Sequence, residues 1–165
     1  MHEKSIVLLN KAVADEMTAV HQYMYFHFRC DDLGYDLLAG LFKATAIQEM
    51  LHIEQLAERI LFLKGEVEMV ASGEVAKIHD VEKMLEKARY LEEDSIKKYN
   101  QWANECGANA DSASKTLFEG LVVAEEGHYD QFDTEVDNME KFGDRYLALQ
   151  SIERSKTRAA GQPAP

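Results

Sequence analysis

Apolar residues recur every three or four positions through four long stretches of the chain, which is the period of an amphipathic helix. The first stretch runs from about Glu3 to Asp32 and carries Ile6, Leu9, Val13, Val20, Tyr23 and His27 along one stripe. The sequence DDLGYD interrupts it, with Gly34 placed to cap the helix end. The second stretch, from about Tyr35 to Lys64, sets Leu38, Phe42, Leu56 and Leu63 at matching intervals. KGEVEMVASGEVAKIHD then predicts a long connection. A third helix is expected from about Asp80 to Cys106, with Val81, Leu85, Ala88, Ile96 and Tyr99 in register. The polar residues of the turn GANADSAS can cap a fourth helix, expected over about Asp111 to Phe142. Helices of this length reach roughly 45 Å each at 1.5 Å per residue. A short first turn, a long middle connection and a short last turn predict an all-α fold, a four-helix bundle with one long crossover. Beyond Gly143, DRYLALQSIERS predicts a short fifth helix from about Asp144 to Ile152, and KTRAAGQPAP a solvated, disordered tail. The chain is thus expected to form one domain over residues 1–155, with a tail over residues 156–165.

Composition narrows the partners. A chain of 165 residues is one domain's worth of polymer, and 46% hydrophobic residues argue against wholesale disorder. Only two prolines and nine glycines break the chain, in keeping with long helices. Against 30 acidic side chains stand 18 Lys and Arg, a formal charge of −12. Such a surface repels phosphate backbones and anionic lipid and attracts cations, so neither nucleic acid nor membrane is an expected partner. No stretch approaches the ~18 apolar residues of a membrane span, and the apolar run in MHEKSIVLLNK is too short for a secretion signal. Cys30 and Cys106 lie far apart and predict reduced thiols packed in helices, which places the protein in the cytoplasm.

The chemistry lies in two short stretches, IQEMLHIEQ and AEEGHYD. Each contains Glu-x-x-His, as Glu49 with His52 and as Glu125 with His128, on the stripe that should face the bundle core. Glu16 shares the stripe of Leu9, Val13 and Tyr23, and Glu92 lies four residues after Ala88 and four before Ile96. Glu93 and Glu126 turn away from the core. Four unpaired carboxylates in a bundle core would cost several kcal/mol each, or would be forced to take up protons. Two divalent ions remove the problem, because four Glu⁻ and two neutral His balance their combined charge. Carboxylate with imidazole suits iron or manganese, and the i, i+3 spacing lets one helix offer both ligands side by side. Symmetry then suggests that Glu49 and Glu125 bridge the ions, that Glu16 and Glu92 are terminal, and that His52 and His128 bind one ion each.

These residues also carry a resemblance. Up to Glu153 the chain resembles bacterioferritin, through LNKAVADEMTAVHQY around Glu16, QEMLHIEQLAERILFLKG around Glu49 and His52, DVEKMLEKARYLEE around Glu92, and AEEGHYDQFDTEVD around Glu125 and His128. The resemblance implies a ferritin-like bundle with a fifth helix that helps close a hollow shell of twenty-four identical subunits. It implies two iron ions per subunit, held by those six residues, and oxidation of Fe(II) by O2 or H2O2 with storage of the ferric product. It also implies haem b at a twofold subunit interface, with Met50 as the matching axial ligand, and a ferredoxin or other reductant for iron release. Tyr23 corresponds to a tyrosine near the di-iron centre, although core packing alone would account for it. An inner-wall iron site that some members build from a His and an Asp has Ala44 and Gln48 at its positions, so it is expected to be missing. His2, His21, His27 and His79 have no partner spacing and read as structural or surface residues. Three other readings stay open: a di-metal peroxidase or catalase, a haem-binding electron-transfer bundle, and a DNA-protecting miniature ferritin. The acidic charge and the ligands within one subunit argue against the last.

Overall fold

The computed structural model describes residues 2–161. It is all-helical among those residues, with α1 over Glu3–Asp32, α2 over Asp36–Phe62, α3 over Val81–Ala108, α4 over Ser112–Phe142 and α5 over Asp144–Ala159. Local chemistry sets the ends. Gly34 adopts φ 81° just past α1, which lets the Gly34 and Tyr35 N–H groups donate back to the Asp31 and Cys30 carbonyls. Asp80 and Asp111 cap α3 and α4, their carboxylates accepting from the Lys83 and Ser114 N–H groups at 2.9 and 3.1 Å.

The tight turns make α1 antiparallel to α2 and α3 antiparallel to α4, and these are the most extensive pairings. Residues 63–80 form the crossover, and side chains of α1 hold it in place. Asn10 and Gln22 each use both halves of their amide, donating to the Glu66 and Ala76 carbonyls and accepting from the Glu68 and Ala76 N–H groups. Thr18 Oγ1 accepts from the Ser72 and Gly73 N–H groups between them. The connection therefore runs alongside α1 in the same direction, delivering α3 antiparallel to α1. It is extended, and these ties satisfy part of its polar backbone.

The core is in two parts. Around one end, Tyr23, Phe26, Phe42, Met84, Leu85 and Phe132 pack together. Around the other, Leu9, Val13, Leu56, Ile60, Tyr99 and Phe118 do so. Burial of each such side chain contributes about 1.5–3 kcal/mol. Between the clusters lies a polar layer of Glu16, Glu49, His52, Glu92, Glu125 and His128, all buried. Cys30 and Cys106 are free and buried, as read from the sequence. Ile6, Val20, His27 and Ile96, placed on the inner stripes by periodicity, are only half-buried. On α1 the fully buried line instead continues through Ala19, Tyr23, Phe26 and Cys30.

One expectation needs correction. The fifth helix continues past Ile152 to Ala159, so Lys156 to Ala159 are helical rather than disordered tail, and the 155/156 boundary falls inside α5. No residue from Ser151 to Ala160 breaks a helix, and Lys156 and Arg158 suit the negative end of the dipole. The first interruption is Gly161 at φ 75°. The remainder of the expected tail, residues 162–165, lies outside the described residues. Gly143, at φ 53°, turns the chain into α5. Arg154 then anchors that helix to the α1–α2 corner, Nη1 donating to the Asp31 carbonyl at 2.5 Å and Nη2 to its carboxylate at 3.0 Å.

Candidate metal centre

All six residues read from the sequence meet at mid-bundle. α2 and α4 run antiparallel, so the two Glu-x-x-His turns face each other with their order reversed. His52 Nδ1 is 2.8 Å from Glu49 Oε2, 3.1 Å from Glu125 Oε1 and 3.4 Å from Glu16 Oε1. His128 Nδ1 is 3.0 Å from Glu49 Oε1, 3.2 Å from Glu125 Oε2 and 3.6 Å from Glu92 Oε2. Glu49 and Glu125 thus turn one carboxylate oxygen toward each histidine. The ring centroids of the two histidines are 5.7 Å apart.

These distances define two overlapping donor sets. One is Glu16, Glu49, His52 and Glu125, the other Glu49, Glu92, Glu125 and His128, and within each set the donor atoms lie within 4.8 Å of one another. Carboxylate and imidazole donors gathered this closely suit a shared divalent ion. Glu49 Oε2, His52 Nδ1 and Glu125 Oε1 are close but form no hydrogen bond, because their orientations are wrong for one. Buried polar atoms that converge without a hydrogen bond suit a metal ion and are otherwise costly to bury.

Two tyrosines complete the layer. α1 and α3 are also antiparallel, and each carries a glutamate followed seven residues later by a tyrosine. Tyr99 Oη donates to Glu16 Oε1 at 2.5 Å, and Tyr23 Oη donates to Glu92 Oε1. Burial and the neighbouring carboxylates push both phenols well above their ordinary range, so they remain donors. Tyr23 also packs on Phe132 with centroids 5.4 Å apart, so both sequence readings of it hold. Periodicity put Tyr99 in the core without suggesting this contact, and the repeated Glu-x6-Tyr was the available signal. Outside the layer, His27 Nδ1 lies 2.8 Å from the Ala39 carbonyl, while His21 and His79 are exposed.

Burial and mutual repulsion bear on the carboxylates of a layer this crowded. Burial, then the Glu49 charge, raises Glu16 to about 8, and burial with the Glu125 hydrogen bond raises Glu92 to about 8. Burial, with the Glu92 charge, also raises Glu49. For His52 and His128 burial opposes the charged form, but the surrounding glutamates outweigh it and push both up to about 12. The folded layer therefore holds protons that the unfolded chain releases, from Glu16 and Glu92 between 4.5 and about 8 and from the histidines between 6.5 and about 12. Excess protons on the folded state mean that stability falls as pH rises through those windows. Melting of the metal-free protein from about pH 5 to about pH 8 checks this. The midpoint should fall with pH, and fall less in the Glu16→Gln/Glu92→Gln variant; the same slope in both contradicts it.

Comparison with known proteins agrees with this geometry. The ferritin family, described as a ferritin-like domain, matches residues 6–142. The bacterioferritin of Desulfovibrio desulfuricans is 37% identical over 145 residues, covering 88% of this chain and 81% of the relative. That of Rhodobacter capsulatus is 33% identical over 147 residues, covering 88% and 91%. Among solved structures, a Desulfovibrio desulfuricans bacterioferritin, described with its di-iron site in different catalytic states, aligns with a TM-score of 0.88 at 36% identity, covering 90% of this chain and 86% of that one. The Mycobacterium tuberculosis bacterioferritin BfrA aligns with a TM-score of 0.86 at 28% identity, covering 91% and 95%. With the fold, the buried carboxylate–histidine layer and these relatives in agreement, the chain belongs to the bacterioferritins of the ferritin family, iron-storing ferroxidases built around a di-iron site.

Proposed function

We propose that Glu16, Glu49, His52, Glu92, Glu125 and His128 bind two Fe(II) per subunit, as substrate, with Glu49 and Glu125 bridging. The observation that carries the assignment is the sharing of Glu49 and Glu125 between both donor sets, one oxygen toward each histidine. Paired ferrous ions supply one electron each to an oxidant that reaches both, here O2 or H2O2. The protein prepares the place. Glu16 and Glu92 give up their protons as the ions enter, while Tyr99 and Tyr23 hold the two carboxylates in position by donating to them. Both histidines present Nδ1 inward, and the apolar clusters on either side limit water.

Assembly and haem binding are drawn from the family and from what the surface leaves open. Met50 is 52% exposed beside exposed Ile47 and Leu51 on α2, and Leu149 and Ile152 are exposed on α5. Such apolar surface favours burial against further subunits. We assign twenty-four subunits around a hollow store, with haem b at a twofold interface held by Met50 from each subunit. The assembly is cytoplasmic, with a ferredoxin as reductant for release. The acidic surface draws cations toward the shell.

Two variants test these assignments. Glu125→Ala removes a shared ligand and should abolish the fast phase of Fe(II) oxidation in stopped-flow absorbance; a fast phase that survives sinks the di-iron assignment. Met50→Leu should remove the haem Soret band from assembled protein reconstituted with haem. An undiminished band would assign the axial ligand elsewhere.

A further inference from the structure

The two histidines match at their inner nitrogens but differ at their outer ones. Both turn Nδ1 toward the carboxylates. His128 Nε2 meets Gln48 Oε1 at 2.5 Å, a contact that crosses from α4 to α2. Among the described residues His52 makes its polar contacts through Nδ1 and has no partner at Nε2. Both rings border a cleft of about 310 Å³ between α2 and α4, which Gln48, Gln55 and Gln131 also line.

That difference matters because an imidazole that gives Nδ1 to a metal must keep its proton on Nε2. An acceptor at Nε2 holds the tautomer and the ring angle and makes Nδ1 a better donor; losing such a partner typically costs about 10–100-fold in metal affinity. The carbonyl oxygen of Gln48 is an acceptor of this kind, whereas the amide nitrogen in its place would impose the wrong tautomer. We propose that Gln48 is a positioning residue that makes the two metal positions unequal. It fixes His128, so the position formed by Glu49, Glu92, Glu125 and His128 binds a divalent ion more tightly and fills first. Position 48, where the resemblance implies that an inner-wall ligand is replaced by Gln, has thereby a role inside the centre.

The inference rests on the two-ion reading above, and cobalt(II) separates the two. Metal-free, assembled protein is titrated with Co(II) and followed by its visible absorption, which reads binding without turnover. The wild type should take up two ions in a tighter and a weaker step. Gln48→Leu should weaken the tighter step by on the order of 10–100-fold and leave the weaker one in place. Gln48→Glu, whose carboxylate accepts the same bond, should keep the tighter step. Gln55→Leu, in the same cleft without a histidine contact, should keep both. In a His128→Ala background, adding Gln48→Leu should change nothing further. Equal affinity of both ions in the wild type overturns the proposal. So does a Gln48→Leu variant that binds as wild type, one that loses both steps together, or one that Gln55→Leu mimics. A wild type that takes up no Co(II) at the centre would overturn the two-ion reading itself.

Discussion

Taking a carboxylate out of water into a bundle core costs several kcal/mol, and this bundle does so four times in one layer. Burial favours protons on Glu16 and Glu92, and the surrounding glutamates favour charge on both histidines, which relieves part of the cost. That relief is incomplete, since Glu49 Oε2, His52 Nδ1 and Glu125 Oε1 are left close together without a hydrogen bond. Two divalent ions bound there would replace those protons and supply the missing partners. The need for that counter-charge explains why the layer sits at mid-height, between two apolar clusters that hold its geometry.

The layer is nearly twofold symmetric, and the symmetry comes from helix direction. Antiparallel α2 and α4 set Glu49 and His52 against His128 and Glu125, while antiparallel α1 and α3 set Glu16 and Tyr23 against Tyr99 and Glu92. The crossover is what gives α3 this direction, so the ties from Asn10, Thr18 and Gln22 to residues 66–76 bear on the metal centre from a distance. Gln48 breaks the symmetry, because it meets His128 and nothing equivalent meets His52 among the described residues.

Much of this was legible in the sequence. Periodicity places the four long helices and puts Glu16, Glu49, Glu92 and Glu125 inside while Glu93 and Glu126 face out, because a helix keeps a fixed relation between spacing and face. It was less reliable at Ile6, Val20 and His27, where α1 also serves the crossover and its buried surface is wider than a single stripe. The extent of α5 was understated because Ser155, Lys156 and Thr157 look polar, although polarity alone does not end a helix. The Tyr99–Glu16 and Gln48–His128 contacts join different helices, and only the relative placement of those helices reveals which side chain meets which.

Four helices bring six side chains to one place, in two donor sets that share Glu49 and Glu125, where two metal ions would bind. Crystals soaked in Fe(II) without oxygen, measured at the iron absorption edge, test it most directly. Two anomalous peaks are expected between Glu49 and Glu125, one beside His52 and the other beside His128. A single peak, or iron bound only outside this layer, contradicts it.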